Sequence, residues 1–200
     1  MSIALGKRGT KTVMVEAAIG LFREKGVDNV SVKEICDSAH VTRNAFYYHF
    51  KTKELLFDAI GDYLTRYAKN HIKTLFERNS AYHHIWEIYK PFLEYQIYLG
   101  PDIMNHCCLS RTCKGRADTY MYIDEEMIGN LKTLVEIAKK NGEVTSQAES
   151  DALAYESYAI VRGHNIGWCF RWGESDLLRD AMKALDTLFV PNPGYRLVRD

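Results

Sequence analysis

The sequence predicts an all-α protein, with an N-terminal three-helix unit followed by a larger helical domain. Three observations carry this prediction. Apolar residues recur at helical spacing along most of the chain, and no run of useful length alternates as a strand would. Only four prolines occur in 200 residues, two of them in the last ten, so long helices meet few obstacles. Glycines follow several of the periodic segments, and Ser or Thr precedes two of them, as helix ends and starts require. With 46% hydrophobic and 26% charged residues the chain has the balance of a globular protein, which excludes a disordered or fibrous one.

The elements follow in order. Met1 to Gly9 carry two glycines and the Lys7-Arg8 pair without an apolar period, and read as a flexible basic arm. Met14, Ala17, Ala18, Leu21 and Phe22 then form one stripe of a helix over Thr10 to Lys25, stopped by Gly26. Ser31 caps a second, short helix, with Glu34 completing a capping box and Ile35, Cys36 and Ala39 facing inward. After His40 and Val41, Thr42 caps a third helix from Arg43 to Phe50. Two short helices joined by three or four residues are the local signature of a helix-turn-helix. Lys51 to Glu54 open a fourth helix, in which Leu56, Ile60, Tyr63, Tyr67 and His71 continue one face.

Longer helices are expected behind it. Tyr82 to Leu99 keep Ile85, Tyr89, Phe92, Gln96 and Leu99 near one face, with a kink expected at Pro91 and an end at Gly100-Pro101. Asp102 to Cys113 carry no decisive pattern. Ala117 to Lys140 read as a helix ended by Asn141-Gly142, followed by helices over about Gln147 to Trp172 and Asp176 to Phe189. The expected domains are residues 1–53 and 54–200.

The overall charge is zero, yet residues 1–53 hold nine Lys/Arg against five Asp/Glu, a balance of +4, leaving seventeen against twenty-one, or −4, for the rest. Such asymmetry points to a polyanionic partner for the basic part. In a helix-turn-helix the second helix enters the major groove with its N-terminal residues at the base edges. Thr42, Arg43 and Asn44 stand there. Arg can take guanine bidentately and Asn can take adenine, each worth about 1–3 kcal/mol of discrimination. Tyr47, Tyr48, His49, Lys51 and Lys53 follow with groups suited to phosphate oxygens. Phe46 and Phe50, four apart, read as core, and the pattern leaves open whether one of the two tyrosines packs beside them.

Residues Met14 to Ile60, with Gly26-Val27, the Ser31 cap, Ala39-His40-Val41-Thr42, Phe46-Tyr47-Tyr48-His49-Phe50 and Lys53-Glu54 before Leu56, resemble the N-terminal domain of TetR-family regulators. The resemblance implies a homodimeric repressor whose two recognition helices contact successive major grooves of a pseudo-palindromic operator in double-stranded DNA. It further implies that the C-terminal domain binds a small-molecule effector which re-spaces those helices. Carried over residue by residue, it makes Lys33, Thr42, Arg43, Asn44, Tyr47, Tyr48, His49 and Lys53 the DNA contacts. The turn departs from the family habit, with His40 where glycine is usual, and Asn44 stands where a small residue is frequent.

In the larger domain aromatic residues are dense, and pockets for organic ligands are lined by rings with a few polar groups. Trp86, Tyr89, Tyr120 and Trp168 are the expected walls. Ala159, Gly163 and Gly167 fall at i, i+4 and i+8 on one helix, a row of small residues that suits close approach of a second helix. The resemblance favours a homodimer interface there, because the last two helices of such proteins usually form it. The alternative is a bulky neighbour within the same subunit.

His106, Cys107, Cys108 and Cys113 lack the paired spacing of a zinc site, so no metal and no cofactor is expected, and buried thiol is preferred to redox sensing. Five cysteines without framework spacing read as reduced thiols. With no secretory signal and no long apolar run, a cytoplasmic location without membrane insertion follows. An enzyme built on a helical bundle is the rival class. It finds no Glu-x-x-His pair, H-E-x-x-H, Walker loop, dinucleotide glycines or G-x-S-x-G, and none of the residues is expected to be catalytic. A helical interaction protein without DNA binding is the other alternative.

Overall fold

The computed structural model describes the backbone of residues 9–72, 80–112 and 125–198, and their side chains apart from those of 64–72 and 108–112. Nine α-helices occur among the described residues: α1 (Thr10–Lys25), α2 (Val32–Ser38), α3 (Arg43–His49), α4 (Glu54–Ile72), α5 (Ala81–Leu99), α6 (Pro101–Thr112), α7 (Glu125–Lys140), α8 (Ser150–Phe170) and α9 (Leu177–Phe189). The only β pairing among them is an isolated antiparallel bridge between Val144 and Pro191. The all-α expectation holds. The segment 117–124, read from sequence as the start of a helix, lies outside the described residues, as does the basic arm before Gly9.

The chain divides into two compact units. One holds α1, α2, α3, α4 as far as Tyr63, and α6 from Asp102; the other holds α5, α7, α8 and α9. In the first unit α1 buries Met14, Val15, Ala18, Ile19 and Phe22. Met14, Ala18 and Phe22 are buried as expected, but Val15 and Ile19 join them in place of Ala17 and Leu21, because α1 is covered on more than one side. Phe22 stacks on Phe57 of α4 with centroids 5.6 Å apart, and the Tyr63 hydroxyl donates to Glu16 Oε1 at 3.2 Å. Phe46, Phe50, Leu56 and Ile60 complete this small core.

Helix α6 forms where the sequence showed no decisive pattern. Gly100 ends α5 at φ 85°, a left-handed backbone that glycine reaches without a Cβ penalty, and Pro101 then starts α6 with its φ already set. Asp102, in the first turn, reaches out of the helix: its Oδ2 accepts from the backbone N–H of Val27 at 2.8 Å. Further along, His106 stacks on Phe57 with centroids 5.3 Å apart and lies 3.6 Å from Asp28 Oδ1.

In the second unit α5 runs through Pro91, and α9 buries Leu177, Ala181, Leu185 and Phe189, one every turn. Glu143, 3% exposed, accepts from the Tyr82 backbone N–H at 2.8 Å and so satisfies an orphan donor at the start of α5. Burial pushes its carboxyl pKa up, but the hydrogen bonds from Tyr82, Asn141, Ala81 and Ser80 outweigh this and hold it below the ordinary value. The Tyr82 hydroxyl donates to Asp186 Oδ1 at 2.8 Å, and the same carboxylate accepts from the Leu197 and Val198 backbones at 3.1 Å each. Asp186 thereby fastens the residues after α9 onto the bundle. Cys36, Cys107 and Cys169 are buried and in no disulfide, and no cluster of three metal-ligating side chains occurs among the described residues.

Candidate nucleic-acid interface

The capping box at α2 is formed in full. Ser31 Oγ accepts from the Glu34 backbone at 3.2 Å, and Glu34 Oε2 accepts from the Ser31 backbone at 2.9 Å. Glu34 also reaches across to α1, where Lys25 Nζ donates to its Oε1 at 2.9 Å. The Lys25 ammonium and the Ser31 donors together pull the Glu34 carboxyl down to about 2. One carboxylate therefore ties the start of α2 to the end of α1.

After Ser38 the chain turns through Ala39 and His40, with the Val41 N–H donating to Cys36 O at 3.0 Å. His40 takes the left-handed φ of 55° at which glycine would be unstrained. A histidine at that position does not alter the turn; it adds strain to it. Thr42 then caps α3 through the Ala45 N–H at 3.1 Å.

Helix α3 is seven residues long and amphipathic in its simplest form. Phe46 is fully buried and Phe50, just past the end, is 2% exposed. Thr42, Arg43, Asn44, Tyr47, Tyr48 and His49 are all exposed. The open question about the tyrosines is answered by packing: Tyr47 is 51% and Tyr48 84% exposed, so neither belongs to the core. Two large rings left in water beside a guanidinium and an amide form a surface with groups for both base edges and phosphates. Lys33 is exposed on α2, where it pairs with Asp37 at 2.8 Å. Such an exposed ion pair contributes little to stability and exchanges readily for a phosphate.

Lys53 differs from the rest. It is half-buried, its Nζ donates to the Val27 carbonyl at 2.6 Å, and it lies 5.5 Å from the centre of the Phe22 ring. The structure thus gives this lysine an internal partner in addition to any external one. Lys11, which sequence reasoning passed over, lies 5.7 Å from the centre of the Phe50 ring, at the edge of the same surface. No spacing rule joins it to α3; only the crossing of α1 and α3 does.

In the second unit Trp86 and Tyr89 on α5 and Trp168 on α8 are buried, while Tyr120 lies outside the described residues. The Tyr89 and Ser157 hydroxyls bond at 2.9 Å in the interior, and burial raises the Tyr89 pKa far above the ordinary phenol value. Trp168 is eleven residues beyond Ser157, about 16 Å along the helix axis, so these rings line a length of the unit and do not meet at one point. Gln96, fully buried on α5, leaves both its amide oxygen and its amide nitrogen without a hydrogen-bond partner among the described residues. Each such atom costs about 1–3 kcal/mol. On α8, Ala159 and Gly163 are exposed and Gly167 is half-buried. Nothing lies within 4 Å of where a Cβ on Gly163 would stand, and at Gly167 only the end of the Arg171 side chain does, at 3.6 Å. No bulky neighbour among the described residues explains this row.

A short capped helix, set four residues after another on a three-helix core and presenting only polar and aromatic side chains, has the geometry of a helix-turn-helix. Residues 14–60 match the model of the bacterial regulatory proteins of the tetR family. The match covers the helix-turn-helix and the helices that flank it, and not the rest of the chain. A probable acrEF/envCD operon repressor of Escherichia coli (strain K12) is 41% identical over 49 residues, 24% of this chain and 22% of that protein, so the chain spans about a fifth of that relative's length. The transcriptional regulator TtgR of Pseudomonas putida is 26% identical over 188 residues, covering 89% of each. Among solved structures, Thermus thermophilus FadR, a TetR-family repressor in complex with lauroyl-CoA, matches with a TM-score of 0.61 at 17% identity, over 95% of this chain and 96% of that one. That likeness is one of fold.

Proposed function

We propose that the protein is a sequence-specific transcriptional repressor that binds a pseudo-palindromic operator as a homodimer and leaves it when a small molecule binds the second unit. The observation that carries this reading is the exposed face of α3, where Arg43, Asn44, Tyr47 and Tyr48 stand in water over the buried Phe46. Residues 1–53 read the operator, and the second unit binds effector and partner subunit. Thr42, Arg43 and Asn44 read bases; Lys33, Tyr47, Tyr48, His49 and Lys53 hold the backbone. The relatives that match are regulators and not enzymes, and no helix among the described residues is long and apolar enough to cross a membrane. We place the protein in the cytoplasm, where its operator is.

The two α3 helices of the dimer span successive major grooves, about 34–36 Å apart. An effector empties the operator only by binding more tightly to the state with the wrong spacing. The row Ala159, Gly163, Gly167 is the close-approach seam of the dimer, supported by the open space beside Gly163 among the described residues. Fluorescence anisotropy with duplexes from the protein's own promoter region, repeated at several salt concentrations, tests the reading. Binding to one duplex at least about a thousandfold tighter than to random duplex is expected. Equal affinity for all duplexes, or for none, ends it.

A further inference from the structure

The contacts between α5 and α8 run in step. Tyr89 bonds Ser157, Arg162 lies over the Phe92 ring at 5.6 Å, and a Cβ on Gly173, just beyond α8, would stand 3.6 Å from Pro101, just beyond α5. The two helices therefore run in the same direction. Gln96 lies seven residues past Tyr89 on the same stripe, about 10 Å along the axis, at the level of Asn165 and Trp168. Helix α5 packs closely on α7 and α9 but meets α8 through long side chains. At this level, then, is a fully buried carboxamide with an acceptor and a donor both unanswered, in a unit closed mostly by apolar side chains.

Native interiors rarely leave such a group unanswered without a functional reason. A carboxylate would answer only the amide nitrogen, and an amine only the oxygen. A second cis amide answers both at once, with its N–H to Oε1 and its C=O to Nε2. We propose that Gln96 is the polar anchor of the effector site, and that the effector presents a lactam or primary carboxamide edge on a flat aromatic body that rests along Trp168. This rests on the ligand-responsive reading above and names the chemistry of that ligand.

The test uses the full chain and three probes of one shape: quinolin-2(1H)-one, its N-methyl derivative and naphthalene. Calorimetric titration should show the lactam binding at least about tenfold tighter than either of the others. Gln96→Met, which keeps the length and removes both polar atoms, should cost the lactam about tenfold, leave naphthalene unchanged, and raise the melting temperature of the free protein by about 2–4 °C. The N-methyl comparison needs no variant and stands even if Gln96→Met folds poorly. Lactam and N-methyl lactam binding equally, or wild-type protein ignoring the lactam while still holding promoter DNA, overturns the proposal and leaves the DNA reading intact. Lactam binding by a protein that ignores every duplex supports the anchor and removes the repressor.

Discussion

His40 holds a φ of 55° in the turn that aims α3, a conformation that costs an ordinary residue about 1–2 kcal/mol. Glycine removes that strain but adds entropy to the unfolded chain, so His40→Gly should change stability by between nothing and about +1 kcal/mol, whereas His40→Val should lose about 1–2 kcal/mol. Urea denaturation of both variants checks this; a glycine variant clearly less stable than the parent would contradict it. Glu34 predicts a pH dependence. Its folded pKa, about 2, lies below the ordinary value of 4.5, so its contribution is fully present above pH 4.5 and lost as pH falls toward 2. Glu34→Gln should flatten the acid side of the stability curve in that window and leave a constant offset at neutral and alkaline pH. At the DNA surface, Arg43→Ala should cost far more specific than nonspecific affinity. Lys53→Ala should weaken both and also lose about 1–2 kcal/mol of stability, because the Val27 carbonyl loses its partner. The internal role of Lys53 was not legible in the sequence, since the motif places the lysine beside α3 but says nothing of a carbonyl twenty-six residues earlier.

At the scale of elements, the first three helices were readable because each carries its own punctuation: Gly26, the Ser31 box and the Thr42 cap are local chemistry with one geometric outcome. Helix α6 was not, since Pro101 to Thr112 set apolar and polar residues around the whole cylinder without a stripe, and its reach to Val27 depends on a contact between residues 75 apart. The same reasoning explains the burial of Val15 and Ile19 on α1, which answers to two neighbours and not to one. Helix α8 yields a prediction in which two effects have opposite signs. In an isolated subunit Gly163→Ala removes a helix-interior glycine with nothing to clash, and should stabilise by about 1 kcal/mol. At a close-approach seam the added methyl instead pushes two helices apart. Sedimentation at micromolar concentration should show dimer for the parent and a marked shift to monomer for Gly163→Leu, and a parent that sediments as one subunit would remove the seam from consideration.

For the molecule as a whole, the +4 and −4 balances of residues 1–53 and 54–200 set the basic excess at one end of the chain, where the proposed operator contacts lie. Affinity for DNA should fall steeply with salt, the logarithmic slope reporting about 0.9 per phosphate neutralised, and Lys53→Ala should flatten it by about one contact. The basic excess and the helix-turn-helix were legible because charge and motif occupy one stretch of the sequence. The ligand chemistry was not, because an amide such as that of Gln96 becomes informative only once burial shows that nothing answers it.

The peptide groups flanking Val27 are gripped from two directions: Asp102 of α6 takes the N–H, and Lys53, at the threshold of α4, takes the carbonyl. Loss of either bond would leave a peptide group at this corner without its partner, at a cost of about 1–3 kcal/mol. Slow exchange of the single amide proton at residue 27 is the expected mark of the double fastening, and Asp102→Ala should speed it.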